Sequence, residues 1–335
     1  MSFDQFKELD TALFQQTPVI QQLEFSSLLL NRLAPFWPEL QLANNAQSFS
    51  VDMLRLDYCH PFISGNKWPK MRAWIQQQLA SGSQTLTTMG GAHSNHLVAF
   101  AAACQQLQVK AICYVRANGQ GEELLETPTL QLLKQCNAVI KPVSRSAFRA
   151  MREQVAENSF LPEGGKSEEA MKSICEWVSL HRSALEPYSS IYTACGTGTW
   201  FSGLVAGLSF EKLNISAVGV PAVAGQKWLA NDIQALLASS NSLSDNWALD
   251  WSFPVKGFTP LAPELVNTLG EALDVSLDPV YLPRVLYAVI KAWQEGCFAQ
   301  TPLIIHSGGV QASGRYIAKR DKQHYRDTYF QQSFT

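Results

Sequence analysis

The run Thr85-Leu86-Thr87-Thr88-Met89-Gly90-Gly91-Ala92-His93-Ser94-Asn95-His96-Leu97-Val98-Ala99-Phe100-Ala101-Ala102-Ala103-Cys104 is followed closely by Val109-Lys110-Ala111-Ile112-Cys113-Tyr114-Val115. Thr85 to Met89 is short and rich in β-formers, and the Gly90-Gly91 pair closes it as a turn. Asn95 to Leu107 is too long and too rich in alanine for a strand and predicts a helix. Val109 to Val115 reads as a strand again. A strand, a helix of ten or more residues and a second strand predict two parallel strands joined by a crossover.

The same alternation extends in both directions. Upstream, Ser50 to Leu56 alternates as a strand and Trp68 to Ala80 carries Trp68, Met71, Ile75 and Leu79 on one helical face. Downstream, helices are predicted near 127–135, 147–157, 167–181, 200–210, 228–238, 262–273 and 279–295. Strands are predicted at 138–143, 190–194, 216–220 and 301–306. Residues 1–50 give a mixed signal, with an extended segment opening at Thr17-Pro18-Val19 and a break at Ala34–Pro38. This pattern predicts an α/β fold with mostly parallel, twisted sheets flanked by helices. Ligands bind such sheets beyond the carboxyl ends of the strands, which points to the loops at 65–67, 90–96, 195–199 and 307–309.

Composition narrows the classes. The chain has 335 residues, 46% hydrophobic and 16% charged, with a formal net charge of −2. That describes a globular protein with a sizeable core and no electrostatic footprint for nucleic acid or an anionic membrane. The N-terminal stretch carries acids where a signal peptide carries a basic region, and no apolar run approaches a bilayer span. Seven scattered cysteines without a Cys-x-x-Cys pair read as reduced thiols. A cytoplasmic location is expected.

Four loops offer chemistry. Gly65-Asn66-Lys67 stands just ahead of a helix, and Lys70 lies one turn further along the same face. Lys67 is either a solvated charge or an amine held in a pocket to form a Schiff base. Cys195-Gly196-Thr197-Gly198-Thr199 follows an apolar strand and opens a helix, where free amides, hydroxyls and the helix dipole suit a single phosphate. A dinucleotide fingerprint is excluded by Phe201 and a Walker loop by the missing Gly-Lys-Ser/Thr. Taken alone, the loop is also readable as a tight turn before a glycine-packed helix. In Ser94-Asn95-His96 the residues either cap the helix or, with its free amides, hold a carboxylate. His93 and His96 lack a third ligand at zinc-like spacing, so no metal is expected. His306-Ser307-Gly308-Gly309 ends the last strand with small residues that admit a flat ring.

Together and in this order, these segments resemble the D-cysteine desulfhydrase and 1-aminocyclopropane-1-carboxylate (ACC) deaminase family. The segments are Gly65-Asn66-Lys67 with Lys70, Ser94-Asn95-His96, Pro162-Glu163-Gly164-Gly165, Gly196 to Thr199, Leu277-Asp278-Pro279-Val280-Tyr281 and His306-Ser307-Gly308-Gly309. The resemblance covers residues 17 to 315 and implies a pyridoxal 5'-phosphate (PLP) enzyme of the tryptophan synthase β-like fold, fold type II. It implies a larger PLP-binding domain of residues 1–67 and 176–335, an inserted domain of 68–175, a site in the cleft between them and a homodimer. Lys67 would be the Schiff-base lysine and the base at Cα. Lys70 and the loop Cys195, Gly196, Thr197, Gly198 and Thr199 would hold the phosphate. Asn95 would bond the phenolic oxygen, Ser94, Asn95 and His96 the substrate, and Ser307 the ring nitrogen. Tyr281 would cover the substrate, and Phe258 would line its site.

Two positions depart from the family pattern. Phe258 stands where a tyrosine is usual, and Leu282 stands where ACC deaminases place a glutamate against the ring nitrogen. Ser307 then remains as the ring-nitrogen partner, which implies elimination more than ring opening. The expected activity is a PLP-dependent α,β-elimination on a small amino acid, best matched by D-cysteine giving pyruvate, sulfide and ammonia. The alternatives are ACC-type ring-opening deamination, or a PLP-binding protein with little turnover.

Overall fold

Strand and helix alternate along the chain as the sequence predicts, and the strands sort into two sheets. The computed structural model describes residues 2–42, 47–117, 124, 126–153, 160–222, 227–240, 242, 244–254, 260–298, 300–310 and 321. One sheet has six strands: β1 (Ile20–Phe25), β2 (Phe49–Arg55), β9 (Leu303–His306), β6 (Ser190–Cys195), β7 (Ser216–Pro221) and β8 (Trp247–Leu249), in that spatial order. All neighbours are parallel except β1 against β2. The other sheet has three parallel strands, β3 (Thr85–Gly91), β4 (Lys110–Arg116) and β5 (Val139–Val143).

The helices, in chain order, are α1 (Ser2–Phe14), α2 (Ser27–Leu33), α3 (Lys67–Ala80), α4 (Asn95–Gln106), α5 (Pro128–Gln135), α6 (Arg145–Glu153), α7 (Glu168–Leu180), α8 (Arg182–Leu185), α9 (Thr199–Phe210), α10 (Lys227–Ser239), α11 (Pro263–Leu273) and α12 (Leu282–Gln294). None of them is long and apolar enough to cross a membrane. The strands β6 and β9 at the centre of the large sheet are almost wholly buried, as expected of strands covered on both faces. Helix α9 is buried on every side, and its glycines explain how. A Cβ on Gly203 would lie 2.6 Å from Ile174, and one on Gly207 would lie 2.7 Å from Val178, both on α7. These two glycines serve close helix packing. The loop glycines before them belong to the site.

Residues 2–42 are more ordered than their sequence suggests. Helix α1 buries Phe6, Leu9, Leu13 and Phe14, and β1 alternates buried and exposed residues. What fixes α1 is a polar clamp on α3. The Asp10 carboxylate accepts from Arg72 Nε (2.7 Å), Arg72 Nη2 (2.8 Å) and Trp68 Nε1 (2.8 Å), while Arg72 reaches Glu176 on α7 at 2.8 Å. Asp10→Ala is expected to lower stability by about 2 kcal/mol in urea unfolding, because it strands three donors, the buried Trp68 Nε1 and the part-buried Arg72 Nε and Nη2. A loss below a few tenths would show the clamp to be incidental.

The start of the last helix moves, and one strand is absent from the prediction. Helix α12 begins at Leu282, three residues after Pro279, because the Asp278 carboxylate takes the amides of Val280 (2.8 Å), Tyr281 (2.5 Å) and Leu282 (3.1 Å) in a capping turn. The strand β8 has three residues, too few to show a period.

Beneath the end of β2 lies a buried charge network. Arg55 donates to both oxygens of Asp57 (2.9 and 2.6 Å), to Gln21 (2.5 Å) and to Asp321 (2.8 Å), with its guanidinium 3.9 Å over the Tyr58 ring. Asp321 also accepts from the Tyr58 hydroxyl (2.6 Å) and the Ser276 amide (2.8 Å). His306 joins the same floor. Its Nδ1 accepts from the Gly308 amide (3.2 Å), so the proton on Nε2 faces the Ser276 carbonyl at 2.9 Å.

Candidate active site

The loops at the carboxyl ends of β2, β3, β6 and β9 converge, and glycine makes the convergence possible. Gly65 has φ +70°, and a Cβ there would stand 1.9 Å from the Ser307 carbonyl oxygen. The Asn66 amide donates to that oxygen at 3.1 Å, stitching the loop before α3 to the end of β9. Lys67, the first residue of α3, is therefore aimed back over this seam. Its Nζ donates to Asn66 Oδ1 (2.8 Å) and lies 3.4 Å from the Ser307 carbonyl. Burial lowers the Lys67 ammonium to about 8, against the opposing pull of Asp278 and Cys59. Lys70, one turn on and 8% exposed, is pushed well below its ordinary value by burial and then by Lys67.

Ser94 occupies the N-cap position of α4, yet its hydroxyl makes no capping bond. The capping reading of this residue is thus corrected: the side chain is left for something else. Asn95 Oδ1 is buried with no partner among the described residues, and its Nδ2 lies 2.9 Å from where a Cβ on Gly309 would be. The small sheet's loop thereby touches the end of β9 in the large sheet.

His96 is held by a relay that no motif advertises. The Thr88 hydroxyl donates to the Leu161 carbonyl (2.9 Å), so at 3.0 Å it accepts from His96 Nε2–H. That fixes the tautomer and leaves His96 Nδ1 as a bare acceptor, buried and unpartnered among the described residues. Burial, then Lys70 and Lys67, lowers the imidazole to about 3, so it stays neutral. His93 is exposed and shares no site with it.

Cys195 ends β6, and its thiol is pushed up to about 12 by burial. Gly198, at φ +82°, precedes the first residue of α9, and the hydroxyls of Thr197 and Thr199 lie 3.2 Å apart at the helix N-terminus. Over this loop folds the Glu163–Gly165 turn. A Cβ on Gly164 would sit 2.7 Å from Thr197 Cγ2, and one on Gly165 2.9 Å from the Lys70 carbonyl oxygen. Tyr281, oriented by Asp278, closes the far side, its ring 3.5 Å from where a Cβ on Gly196 would be. Burial, then Asp278 and Glu163, pushes its phenol well up. Leu282 turns away into an apolar cluster at 3% exposure. Phe258 lies outside the described residues.

The structure therefore brings together Lys67, Lys70, Asn95, Gly196, Thr197, Gly198, Thr199, Tyr281 and Ser307, with Ser94, His96 and Cys195 on the contributing elements. Sequence reading missed the Thr88–His96 relay, the orienting role of Asp278 and the thiol of Cys59 near Lys67. Only Asp278 had a local signal, an Asp-Pro pair before a helix.

No protein-family model matches the chain. A putative 1-aminocyclopropane-1-carboxylate deaminase of Pyrococcus horikoshii is 25% identical over 272 residues, covering 76% of this chain and 82% of that protein. A D-cysteine desulfhydrase of Salmonella choleraesuis is 25% identical over 278 residues, covering 76% and 85%. A solved structure described as an ACC deaminase homologue superposes with a TM-score of 0.68 at 21% identity, covering 98% of both chains. The chain is a homologue of the D-cysteine desulfhydrase and ACC deaminase group. Its fold, mostly parallel sheets flanked by helices, is the one seen in that ACC deaminase homologue. A hydrogen sulfide-producing enzyme of Fusobacterium nucleatum shares the fold at a TM-score of 0.56 and 13% identity, over 79% of this chain and 91% of that one.

Proposed function

We propose that this protein is a PLP-dependent lyase that performs α,β-elimination on a small amino acid, with D-cysteine as the best single candidate. The observation that carries the proposal is the Lys67 amine, depressed to about 8 and held between Asn66 and Ser307 at the meeting of four loops. The residues present suit the cofactor. The α9 N-terminus with Thr197, Thr199 and Lys70 would hold its phosphate, and the close approaches at Gly65, Gly308 and Gly309 draw the loops bearing Lys67, Ser307 and Asn95 together around one place. The orphaned Asn95 Oδ1 marks a side chain that lacks its partner among the described residues. When bound, PLP supplies an electron sink for charge at the substrate Cα.

In this reading Lys67 anchors the cofactor and, once displaced by substrate, removes the Cα proton as a free amine. Ser94 and the first amides of α4 take the substrate carboxylate, Tyr281 covers the substrate, and Ser307 faces the ring nitrogen. With one water, D-cysteine would yield pyruvate, hydrogen sulfide and ammonia. Leu282, buried in the core, presents no carboxylate to the ring, which favours elimination over ACC ring opening. The larger and smaller domains meeting at this cleft, a homodimer and a cytoplasmic setting belong to the same proposal.

The test is direct. Purified protein should show a visible absorbance band that borohydride bleaches, and a pyruvate assay with D-cysteine, L-cysteine, D-serine and ACC should favour D-cysteine. Absence of the band sinks the proposal. A band with no turnover of any of the four leaves a PLP-binding protein of another kind.

The lysine also sets a pH dependence. Burial favours the neutral amine, so the reactive form accumulates as pH rises through about 8, below the ordinary lysine range. Reconstitution of the cofactor-free protein should quicken between pH 7 and 9 and level off above, as followed by stopped-flow absorbance. A rate still climbing past pH 10 would mean that the amine is not buried as described.

A further inference from the structure

The loop that delivers Lys67 is shaped by a histidine that the chemistry above leaves unused. His60 follows the short helical turn Leu56–Cys59 and is 7% exposed. Its Nδ1 accepts from the backbone amides of Phe62 and Ile63, both at 3.0 Å. An asparagine or aspartate oxygen closes a turn in the same way. Two further bonds tie the loop to itself, the Cys59 thiol on the Ile63 carbonyl (3.3 Å) and the Gly65 amide on the Leu56 carbonyl (3.1 Å).

The other nitrogen of the ring reaches a different element. Gln106, the last residue of α4, places its carboxamide 2.7 Å from His60 Nε2. Because Nδ1 already accepts two amides, the proton sits on Nε2 and the carboxamide turns its oxygen toward it. Burial lowers the imidazole to about 4, so this neutral form persists at neutral pH. Helix α4 is thereby held at both ends. Its first residue, Asn95, meets Gly309 beyond β9, and its last meets the loop that leads into α3. Lys67 stands at the end of that loop, on the stitch between the Asn66 amide and the Ser307 carbonyl.

We propose that His60 is a positioning residue for Lys67: it fixes the shape of the loop and its register against α4, and so keeps the amine in its buried place. His60 itself touches no substrate. The inference rests on Lys67 as the reactive amine and adds what holds it there.

Competitive amine labelling of the full-length, cofactor-free protein tests this apart from the absorbance band. Acetic anhydride is the probe, with a free amine as reference, and the acetylated Lys67 peptide is quantified by mass spectrometry as pH rises. The wild-type midpoint should fall near 8, where burial outweighs the pull of Asp278 and Cys59. His60→Ala opens the loop to water and should move the midpoint up by about one pH unit or more, toward the ordinary lysine value. His60→Asn keeps an acceptor for the two amides and loses the tie to α4. It and Gln106→Leu should therefore share an upward shift smaller than that of His60→Ala. An unmoved midpoint in His60→Ala overturns the positioning role and leaves Lys67 as the anchor. If His60→Ala folds poorly, the other two variants decide, and unmoved midpoints in both overturn the tie to α4. A wild-type midpoint in the ordinary lysine range removes the buried amine and this inference together.

Discussion

Lys67→Ala is expected to abolish the visible absorbance band and to lower turnover by roughly a thousandfold or more. The reasoning is geometric. Lys67 is the amine that Asn66 Oδ1 and the Ser307 carbonyl hold over the loop seam, and no other residue described can occupy that place. Lys70 is no substitute, because it stands one helical turn away under the Glu163–Gly165 turn. The fold should survive, since the amine is held against the cost of its burial, and alanine relieves that cost. A normal thermal melt with no band and no pyruvate is the expected result. A variant that keeps its band would transfer the anchoring role elsewhere. Lys70→Ala should behave differently, weakening cofactor retention without removing the band at saturating PLP.

Gly65→Ala should be the most damaging small substitution in the chain. The left-handed backbone alone costs about 1 kcal/mol for a side chain. The added methyl must also displace the Ser307 carbonyl, with 1.9 Å where contact needs well over 3 Å. Overpacking of this kind costs about 1–3 kcal/mol, so a loss of roughly 3 kcal/mol is expected in denaturant unfolding. Cofactor occupancy should fall as well, because the displaced carbonyl is the one that positions Lys67. Gly82 supplies the control. It has φ +83° but nothing within 4 Å of its Cβ position, so Gly82→Ala bears the backbone cost alone. Equal losses at the two positions would refute the steric argument.

The sequence disclosed the parts of this fold that are local. An apolar strand, a glycine loop and a long helix sit side by side in β6 and α9, and the parallel architecture follows from repeating that unit. It concealed the parts that depend on distant pairing. Helix α1 owes its position to Asp10 and Arg72, 62 residues apart. The start of α12 depends on a carboxylate that takes the amides the helix would otherwise begin with. At the site, motif order pointed to Lys67 and the phosphate loop. The neutral state of His96 was not legible, because it depends on Thr88 and on a carbonyl at position 161. The Cys195–Thr199 loop had two readings in the sequence, and the glycine-packed helix of the second is accounted for only by the nearness of Ile174 and Val178 to Gly203 and Gly207.

The buried network around Arg55 imposes an order on assembly. Tyr58 and the Ser276 amide both require the carboxylate of Asp321, which arrives 266 residues after Arg55. Until synthesis has passed residue 321, the ground under the Lys67 loop is an incomplete electrostatic arch. A growing chain can thus form its small sheet early, whereas the large sheet waits for its central strand β9 and the lysine pocket waits for Ser307 and Asp321, all near the end of synthesis.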